Sequence, residues 1–517
     1  MAADDDHSFP GSGQGRTWLR FLLAAVLVIV LTAGATATAG LLNVQSFVDD
    51  LKAGGTIRGV DDVIERADVG EPRTILLIGS DHRFGDPGEE ARSDTMMLIR
   101  IDPDAEATTI LSIPRDLRVS FDTRRGSYTD VKINDTYTVG GEALTAKVIR
   151  RLLGIEINHI ANVNFTGFRE AIDAIGCVYV DVDRRYYHVN VPGGEQYAEI
   201  DIEPGYQLMC GERALDYVRY RHFDSDFVRG ARQQEFLRQL RSQYDAREFV
   251  EDPHKLTRVI GRRMQTDKGL QSVQALIDFG KLVAFSARNP IQQIALRPIY
   301  TRSAAGVSYV ETTAAELARV RREFLHPSAA PAPAAAPAKA ASRRARGGSG
   351  NGRRAAAPPA DGLVDMTQTG KEYAIGLGPM RFPVFYPRLL PSGRTYMPVN
   401  TGAEGGYPIA YKTKAQDGKM RQAYRFVIDV STEAHPGNYV GVQGLRWKDP
   451  PILNNPSADR RTVNGKQLDL YYDGTRLRLV AWRTSQGVYW ISNSLERLLG
   501  NDQMLRMAGS LTRLGRG

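Results

Sequence analysis

From Ser328 to Gly362 the chain consists mainly of Ala, Pro, Gly, Ser and Arg, and such a stretch buries too little apolar surface to order itself. The 517 residues therefore read as two folded units joined by a linker. Lys339, Arg343, Arg344, Arg346, Arg353 and Arg354 all fall in the tether, with no acid between them. Much of the formal net charge of +8 is therefore solvated linker charge, or charge drawn to an anionic lipid or polymer. The 42% hydrophobic content leaves enough apolar material for a core on either side.

Phe21 to Leu42 carries no charge and is long enough to cross a bilayer as a helix. Arg16 and Arg20 precede it, which keeps the N-terminus in the cytoplasm and puts the rest outside. The alternative is a cleaved signal, with the small residues of Thr32 to Gly40 as cleavage sites. Both readings export the protein, and export permits a disulfide between the only two cysteines, Cys177 and Cys210. The expected layout is a cytoplasmic tail (1–20), a transmembrane anchor (21–42), a stalk (43–70), a first folded domain (71–326), the linker (327–363) and a second domain (364–517).

Thr74 to Gly79 is a compact apolar run ending in glycine and reads as a buried strand. Thr95 to Ile101 and Thr108 to Ile113, separated by the turn-prone Asp102-Pro103-Asp104, read as a hairpin. Ala143 to Leu153 and Phe165 to Ile175 read as helices, and Val178 to Val182 as a strand. Intermixed strands and helices indicate an α/β or α+β sandwich. In the second unit, Gln467 to Tyr472, Leu477 to Trp482 and Val488 to Ser492 read as an antiparallel meander with turns at Asp473-Gly474 and Gln486-Gly487. Leu495 to Leu511 reads as a helix.

Short polar fragments interrupt the first unit. Asp81 follows the first strand and Asp94 opens the second. If those strands are neighbours, two carboxylates converge at one sheet edge and suit Mg²⁺, with Mn²⁺ as the alternative ion. Arg115 emerges behind Pro114 and presents a planar fork suited to phosphate oxygens, with Asp116 placed to orient it. Arg219 and Arg221 share a face of an extended segment. Arg229, Arg232 and Gln233 share a helix face, capped by Asp224, Ser225 or Asp226. Cations so gathered repel one another unless an anion lies between them. Taken singly, these features also fit turn aspartates, a surface Arg–Asp pair and a solvated basic face.

In this order, Gly79-Ser80-Asp81, Arg92-Ser93-Asp94-Thr95, Ser112-Ile113-Pro114-Arg115-Asp116, Lys132-Ile133-Asn134, Gly211 to Arg221 and Arg229 to Gln233 resemble the LytR-CpsA-Psr family. The resemblance covers roughly Glu71 to Leu240 and extends to about Tyr300. It implies an α/β sandwich with a central mixed sheet and a long apolar pocket for a lipid. It also implies an enzyme at the outer face of the bacterial cytoplasmic membrane. Such enzymes move a glycopolymer from a polyprenyl-phosphate or polyprenyl-pyrophosphate carrier onto peptidoglycan through a phosphodiester. By motif, Asp81 and Asp94 hold the metal; Arg115, Arg219, Arg221, Arg229 and Arg232 bind phosphate, with Gln233 or its neighbour Gln234 beside them. Arg115 and Asp94 are the catalytic pair. The implied partners are the lipid-linked polymer, peptidoglycan and membrane lipid, with no nucleic acid.

The C-terminal unit is expected as a smaller α+β domain rich in antiparallel strands. It does not resemble the family's short accessory domain. Its Trp482, Tyr489 and Trp490 read as packing residues in a meander, with sugar stacking as the alternative. Competing functions are an exported lipid- or polymer-binding protein, a prenyl-pyrophosphate hydrolase and a transcription regulator. Export and the lack of a helix-turn-helix pattern before the apolar run argue against the last.

Overall fold

A computed structural model describes residues 45–46, 48–68, 70–81, 93–192, 198–220, 224–244, 264–275, 278, 282, 291–297, 299–303, 306–327, 362–397 and 409–515. The span expected over 21–42 lies outside them. No helix among the described residues is long and apolar enough to cross a membrane.

The N-terminal unit is built on a mixed six-stranded sheet. Its strands are β1 (Arg73–Ser80), β2 (Ser93–Asp102), β3 (Ala107–Ile113), β4 (His159–Asn164), then, beyond the antiparallel pair β5 (Val178–Val182) and β6 (Gly205–Met209), β7 (Met264–Thr266) and β8 (Ile291–Ile294). The sheet order is β7-β4-β1-β2-β3-β8. Pairs β1/β4 and β3/β8 run parallel, and the rest antiparallel. The register places Ile160, Leu76, Leu98 and Leu111 side by side, all fully buried. This row is the middle of the core and explains why the first three strands read so clearly as apolar runs.

Helices cover both faces. α1 (Asp135–Leu153), α2 (Phe165–Ile175), α3 (Gly211–Arg219), α4 (Asp226–Gln243) and α5 (Ala314–Leu325) follow in chain order. α1 and α5 close one face, with Ala146, Ile149, Val320 and Phe324 in the same apolar cluster as Leu76 and Leu98. α4 covers the other, where Leu237 packs on Met97, Ile110 and Ile291. The segment expected as a stalk corrects that expectation. Ile57, Val60 and Val63 are buried in the same cluster, and Ile57 donates its N–H to Thr266 O at 2.9 Å. Three isolated aliphatics among polar residues give no periodic signal, yet each fills the core.

Cys177 and Cys210 form a disulfide, Cα to Cα 4.4 Å, joining the end of α2 to the start of α3. Because the bond closes a loop with a sequence separation of 33, replacing both cysteines by serine lowers stability by about 2–4 kcal/mol. A denaturant midpoint unchanged in the double variant would contradict this.

The C-terminal unit has a seven-stranded antiparallel sheet: β9 (Ile409–Lys414), β10 (Met420–Asp429), β11 (Tyr439–Leu445), β12 (Asp459–Val463), β13 (Lys466–Asp473), β14 (Arg476–Arg483) and β15 (Val488–Ser492), in the order β9-β10-β11-β15-β14-β13-β12. The expected meander is β13-β14-β15. α6 (Thr367–Gly376) and α7 (Asn501–Gly509) pack on one face through Ala374, Met504 and Met507. The expected helix over 495–511 is thus shorter. Leu495 and Leu499 are buried but lie in a turn before α7, so their spacing imitates a helix face. Trp482, Tyr489 and Trp490 are all buried and belong to the core.

The other face of this sheet rests on the N-terminal unit. Tyr179 and Tyr206, from β5 and β6, share an apolar cluster with Leu445, Leu453, Leu479 and Trp490. Two buried polar knots hold the seam. Asp181 receives Arg425 and, at 3.3 Å, Trp490 Nε1. Glu235 on α4 meets Arg497, Arg478 at 3.6 Å and Arg238 at 3.4 Å. Asp473, the last residue of β13, binds Arg238 at 3.0 Å and Arg497 at 3.2 Å.

Candidate active site

Three adjacent strands deliver the predicted residues to one end of the sheet. β1 and β2 pair with Gly79 opposite Thr95 and Ser80 opposite Ser93, so Asp81 leaves the sheet where Asp94 enters it. β3 ends beside them, Ile113 opposite Met96, and the chain turns at Pro114 to present Arg115. Arg115 Nη1 donates to Asp94 Oδ1 at 2.7 Å, and Asp116 stands 3.9 Å from its Nε while also pairing with Lys132 at 2.8 Å. Burial pulls the Arg115 pKa down, but Asp94, Asp226 and Asp116 outweigh it and the net shift is upward. The guanidinium is a fixed cation, and its buried Nε carries no hydrogen bond.

α4 brings the second group. It approaches β3 so closely that a Cβ on Gly230 would lie 2.9 Å from Ser112 Cβ, which explains the glycine in Arg229-Gly230-Ala231-Arg232-Gln233. Gln234 is buried and donates to Ser112 Oγ at 2.8 Å. Gln233 turns the other way and donates to Thr95 Oγ1 at 3.0 Å and Val218 O at 3.1 Å. Of the two glutamines, Gln233 stands beside Asp94 and next to the end of α3, where Arg219 lies. Arg229 pairs with Asp226 at 2.8 Å, the same acid that acts on Arg115.

Arg232 is placed differently from the other arginines. Its side chain is fully buried, paired with Asp224 and bonded to Tyr220 O. It lies 4.7 Å from the Tyr186 ring centroid, with Tyr217 and Tyr220 nearby. Arg184 shares Asp224. Burial alone would raise the Asp224 pKa, but the two arginines hold it below the usual carboxylate range. Arg219 leans on Asp216 and Glu212. The expected mutual repulsion is therefore relieved within the protein, because each described arginine of the set has its own carboxylate. Sequence spacing locates the cations but not the acids that fold between them. Arg92, Arg221 and His222 lie outside the described residues.

One group escaped the sequence reading. Ser80 Oγ donates to Asn162 Oδ1 at 2.9 Å, and Asn162 Nδ2 donates to Tyr137 OH at 2.7 Å and Glu142 Oε1 at 2.6 Å. Burial and Glu142 push the Tyr137 hydroxyl up to about 12. This chain of buried polar atoms ties the end of β1, next to Asp81, to β4 and α1. Its only trace in the sequence is Gly140-Gly141, which breaks the helical pattern; Gly141 has φ +60°, and Glu142 follows the kink.

Asp81 is exposed and Asp94 partly so. Two hard oxygen donors at a surface, with phosphate oxygens and water completing the sphere, fit Mg²⁺. The three-ligand cluster among the described residues, Asp173 with Cys177 and Cys210, is unsuited because both sulfurs are in the disulfide. Beside α1 lies a cavity of about 1120 Å³ whose wall mixes apolar Val63, Val139, Ala143 and Leu144 with charged Asp62, Asp122, Arg124, Arg125, Lys147, Arg150, Arg151 and Glu156.

The LytR_cpsA_psr family model matches residues 48–324, more than half of the chain. The chain belongs to the LytR-CpsA-Psr family. The match begins before the boundary expected at 71, in agreement with the buried Ile57, Val60 and Val63, and ends before the linker. The chain is similar to the polyisoprenyl-teichoic acid–peptidoglycan teichoic acid transferase TagU of Halalkalibacterium halodurans, 28% identical over 257 residues, 49% of this chain and 80% of the relative. It is similar to TagT of Bacillus subtilis, of the same description, 25% identical over 315 residues, 60% of this chain and 94% of the relative. It spans about half the length (51%) of a Staphylococcus aureus relative, at 28% identity over 211 residues. The crystal structure of B. subtilis TagV aligns over 49% of this chain and 96% of that one, at 25% identity and a TM-score of 0.40.

Proposed function

We propose that this protein is a membrane-anchored, extracytoplasmic phosphotransferase that moves a glycopolymer from a polyprenyl-pyrophosphate carrier to peptidoglycan, forming a phosphodiester. The observation that carries the reading is the meeting of Asp81, Asp94 and Arg115 at the ends of three adjacent strands, with Gln233 and Arg229 of α4 beside them. Membership of a family whose named relatives transfer teichoic acid to peptidoglycan supports it, and so does the uncharged run 21–42.

In this reaction a hydroxyl oxygen of the acceptor sugar attacks the phosphorus nearer the glycan. The bond from that phosphorus to the bridging oxygen breaks, prenyl phosphate leaves with the bridging oxygen, and the hydroxyl proton passes to water or to the departing phosphate. Negative charge grows on that oxygen, where a fixed cation stabilises the transition state more than the ground state. Arg115 takes that role, and Asp94 holds its guanidinium in place. A Mg²⁺ ion held by Asp81 and Asp94 would supply further neutralisation of the phosphate oxygens. Arg229 and Arg219 leave their acids to meet phosphate, and Arg232 fixes the Asp224 end of α4.

The test is release of prenyl phosphate by the detergent-solubilised full chain from a prenyl-pyrophosphate-linked oligosaccharide, with Mg²⁺ and peptidoglycan present. Release that requires the acceptor, and stops with EDTA and in Asp94→Ala, is the expected result. Acceptor-independent release would make the protein a hydrolase. Tight lipid binding with no release would make it a carrier protein.

A further inference from the structure

The C-terminal sheet ends in a second cationic hollow, separate from the site at β1–β3. β10 begins there, β11 finishes there, and the β14–β15 turn contributes Ser485 and Gln486. Between these strand ends lies a cavity of about 520 Å³ walled by Arg381, Arg421, Arg446, Trp447 and Lys448, with Asp449 as the single lining acid. Gln422 holds two walls together: its side-chain oxygen accepts from Arg381 N at 2.9 Å, and its carbonyl accepts from Arg446 N at 2.9 Å.

The charges in this hollow are arranged unlike those of the first site. There, every described arginine of the set has its own carboxylate. Here, Arg421 pairs with Asp417 but keeps a buried Nε without a hydrogen bond. The side chains of Arg381, Arg446 and Lys448 are exposed, and none has a hydrogen-bond or ion-pair partner among the described residues. Trp447 is anchored from behind. Its ring meets Tyr179 edge-on at 5.3 Å and Tyr206 at 6.2 Å, both from the N-terminal unit. Three exposed cations without an acidic partner among the described residues, set around a fixed, partly exposed indole, form a receptor for anionic groups on a scaffold with a flat apolar face, as sugar rings provide.

We propose that this hollow binds an anionic saccharide segment, phosphodiester- or carboxylate-bearing, and that the C-terminal unit is thereby a polymer-holding module docked on the catalytic one. The hollow and its charge stand on geometry alone; the choice of a saccharide rests on the proposed transfer reaction.

The test is calorimetric binding to the detergent-solubilised full chain of four probes: a glycerol-phosphate oligomer, an oligogalacturonate, neutral chitotetraose and a single-stranded oligonucleotide of matched charge. One or both anionic saccharides should bind saturably and more weakly as salt rises, and the better of the two identifies the anion. The neutral sugar should not bind. Arg381→Ala combined with Arg446→Ala should weaken binding roughly tenfold to a hundredfold. Both residues are exposed, so folding is spared. Trp447→Phe should give a smaller loss with the charges intact. Asp94→Ala should bind the probes as the parent does while failing in prenyl phosphate release, which separates the two sites. Unchanged binding in the double arginine variant, equal binding of chitotetraose, or preference for the oligonucleotide would overturn the proposal. Saccharide binding without any transfer would leave it standing and remove the transferase reading instead.

Discussion

Arg115→Ala should lower acceptor-dependent release of prenyl phosphate by about a thousandfold, the range found when a fixed cation or donor is removed from a developing oxyanion. The loss should fall on kcat, because the charge that Arg115 meets is largest in the transition state. Folding should barely change. The only hydrogen bond its side chain makes among the described residues is to Asp94, whose side chain is 35% exposed, so water can replace the guanidinium there. A partly exposed pair of this kind contributes about 1 kcal/mol or less. Arg115→Lys keeps the charge and loses the fork, and should recover part of the rate. Kinetics with a parallel thermal melt decide the matter. If alanine costs less than about tenfold, or if the rate falls only as far as the melting temperature does, Arg115 is not the stabilising cation.

Glu235→Ala should destabilise the protein by roughly 3–5 kcal/mol, because it leaves Arg238, Arg478 and Arg497 buried together without their shared acid. In the parent, burial would raise the Glu235 pKa, but Arg497, Arg238 and Arg478 outweigh it and hold the carboxyl at about 2, against an ordinary 4.5. A carboxyl whose folded-state pKa is depressed contributes stability that is complete above its unfolded pKa. That stability fades as pH falls from about 4.5 toward 2. Glu235→Gln should therefore flatten the acid limb of the stability curve in that window while costing most at neutral pH. Denaturant titrations at pH 7, 4 and 3 measure both effects. A loss below about 1 kcal/mol at pH 7, or an unchanged acid limb, would mean that the seam does not depend on this acid.

How much of this was legible depended on what each residue needed from its surroundings. β1, β2 and β3 bury Leu76, Leu98 and Leu111 in register, so their apolar runs and the intervening Asp102-Pro103-Asp104 announced the hairpin directly. The ends of those strands then placed Asp81, Asp94 and Arg115 together, as the order of the motifs implied. Helical spacing put Arg229, Arg232 and Gln233 on one face but did not distinguish their fates. Arg232 is sealed against Asp224 and three tyrosines, whereas Gln233 reaches Thr95. Such differences depend on Asp224, which Arg184 and Arg232 come to share only after the chain has folded. Ile57, Val60 and Val63 were misread as stalk for a similar reason: their partners are far away in sequence. Asp473-Gly474 announced a turn, and β13 ends at Asp473 with the turn starting at Gly474, but nothing nearby revealed that the Asp473 carboxylate would bind Arg238 and Arg497.

The seam between the two sheets also changes how a shortened allele must be interpreted. A stop codon in the Ala/Pro-rich stretch looks like a clean removal of an optional appendage. It would instead uncover Tyr179 and Tyr206, strip Asp181 of Arg425, and leave Glu235 without two of its three arginines on the helix that carries Arg229 and Gln233. A null phenotype from that allele would report damage to the half still present. The C-terminal half's own contribution is better assigned from point changes in its exposed hollow.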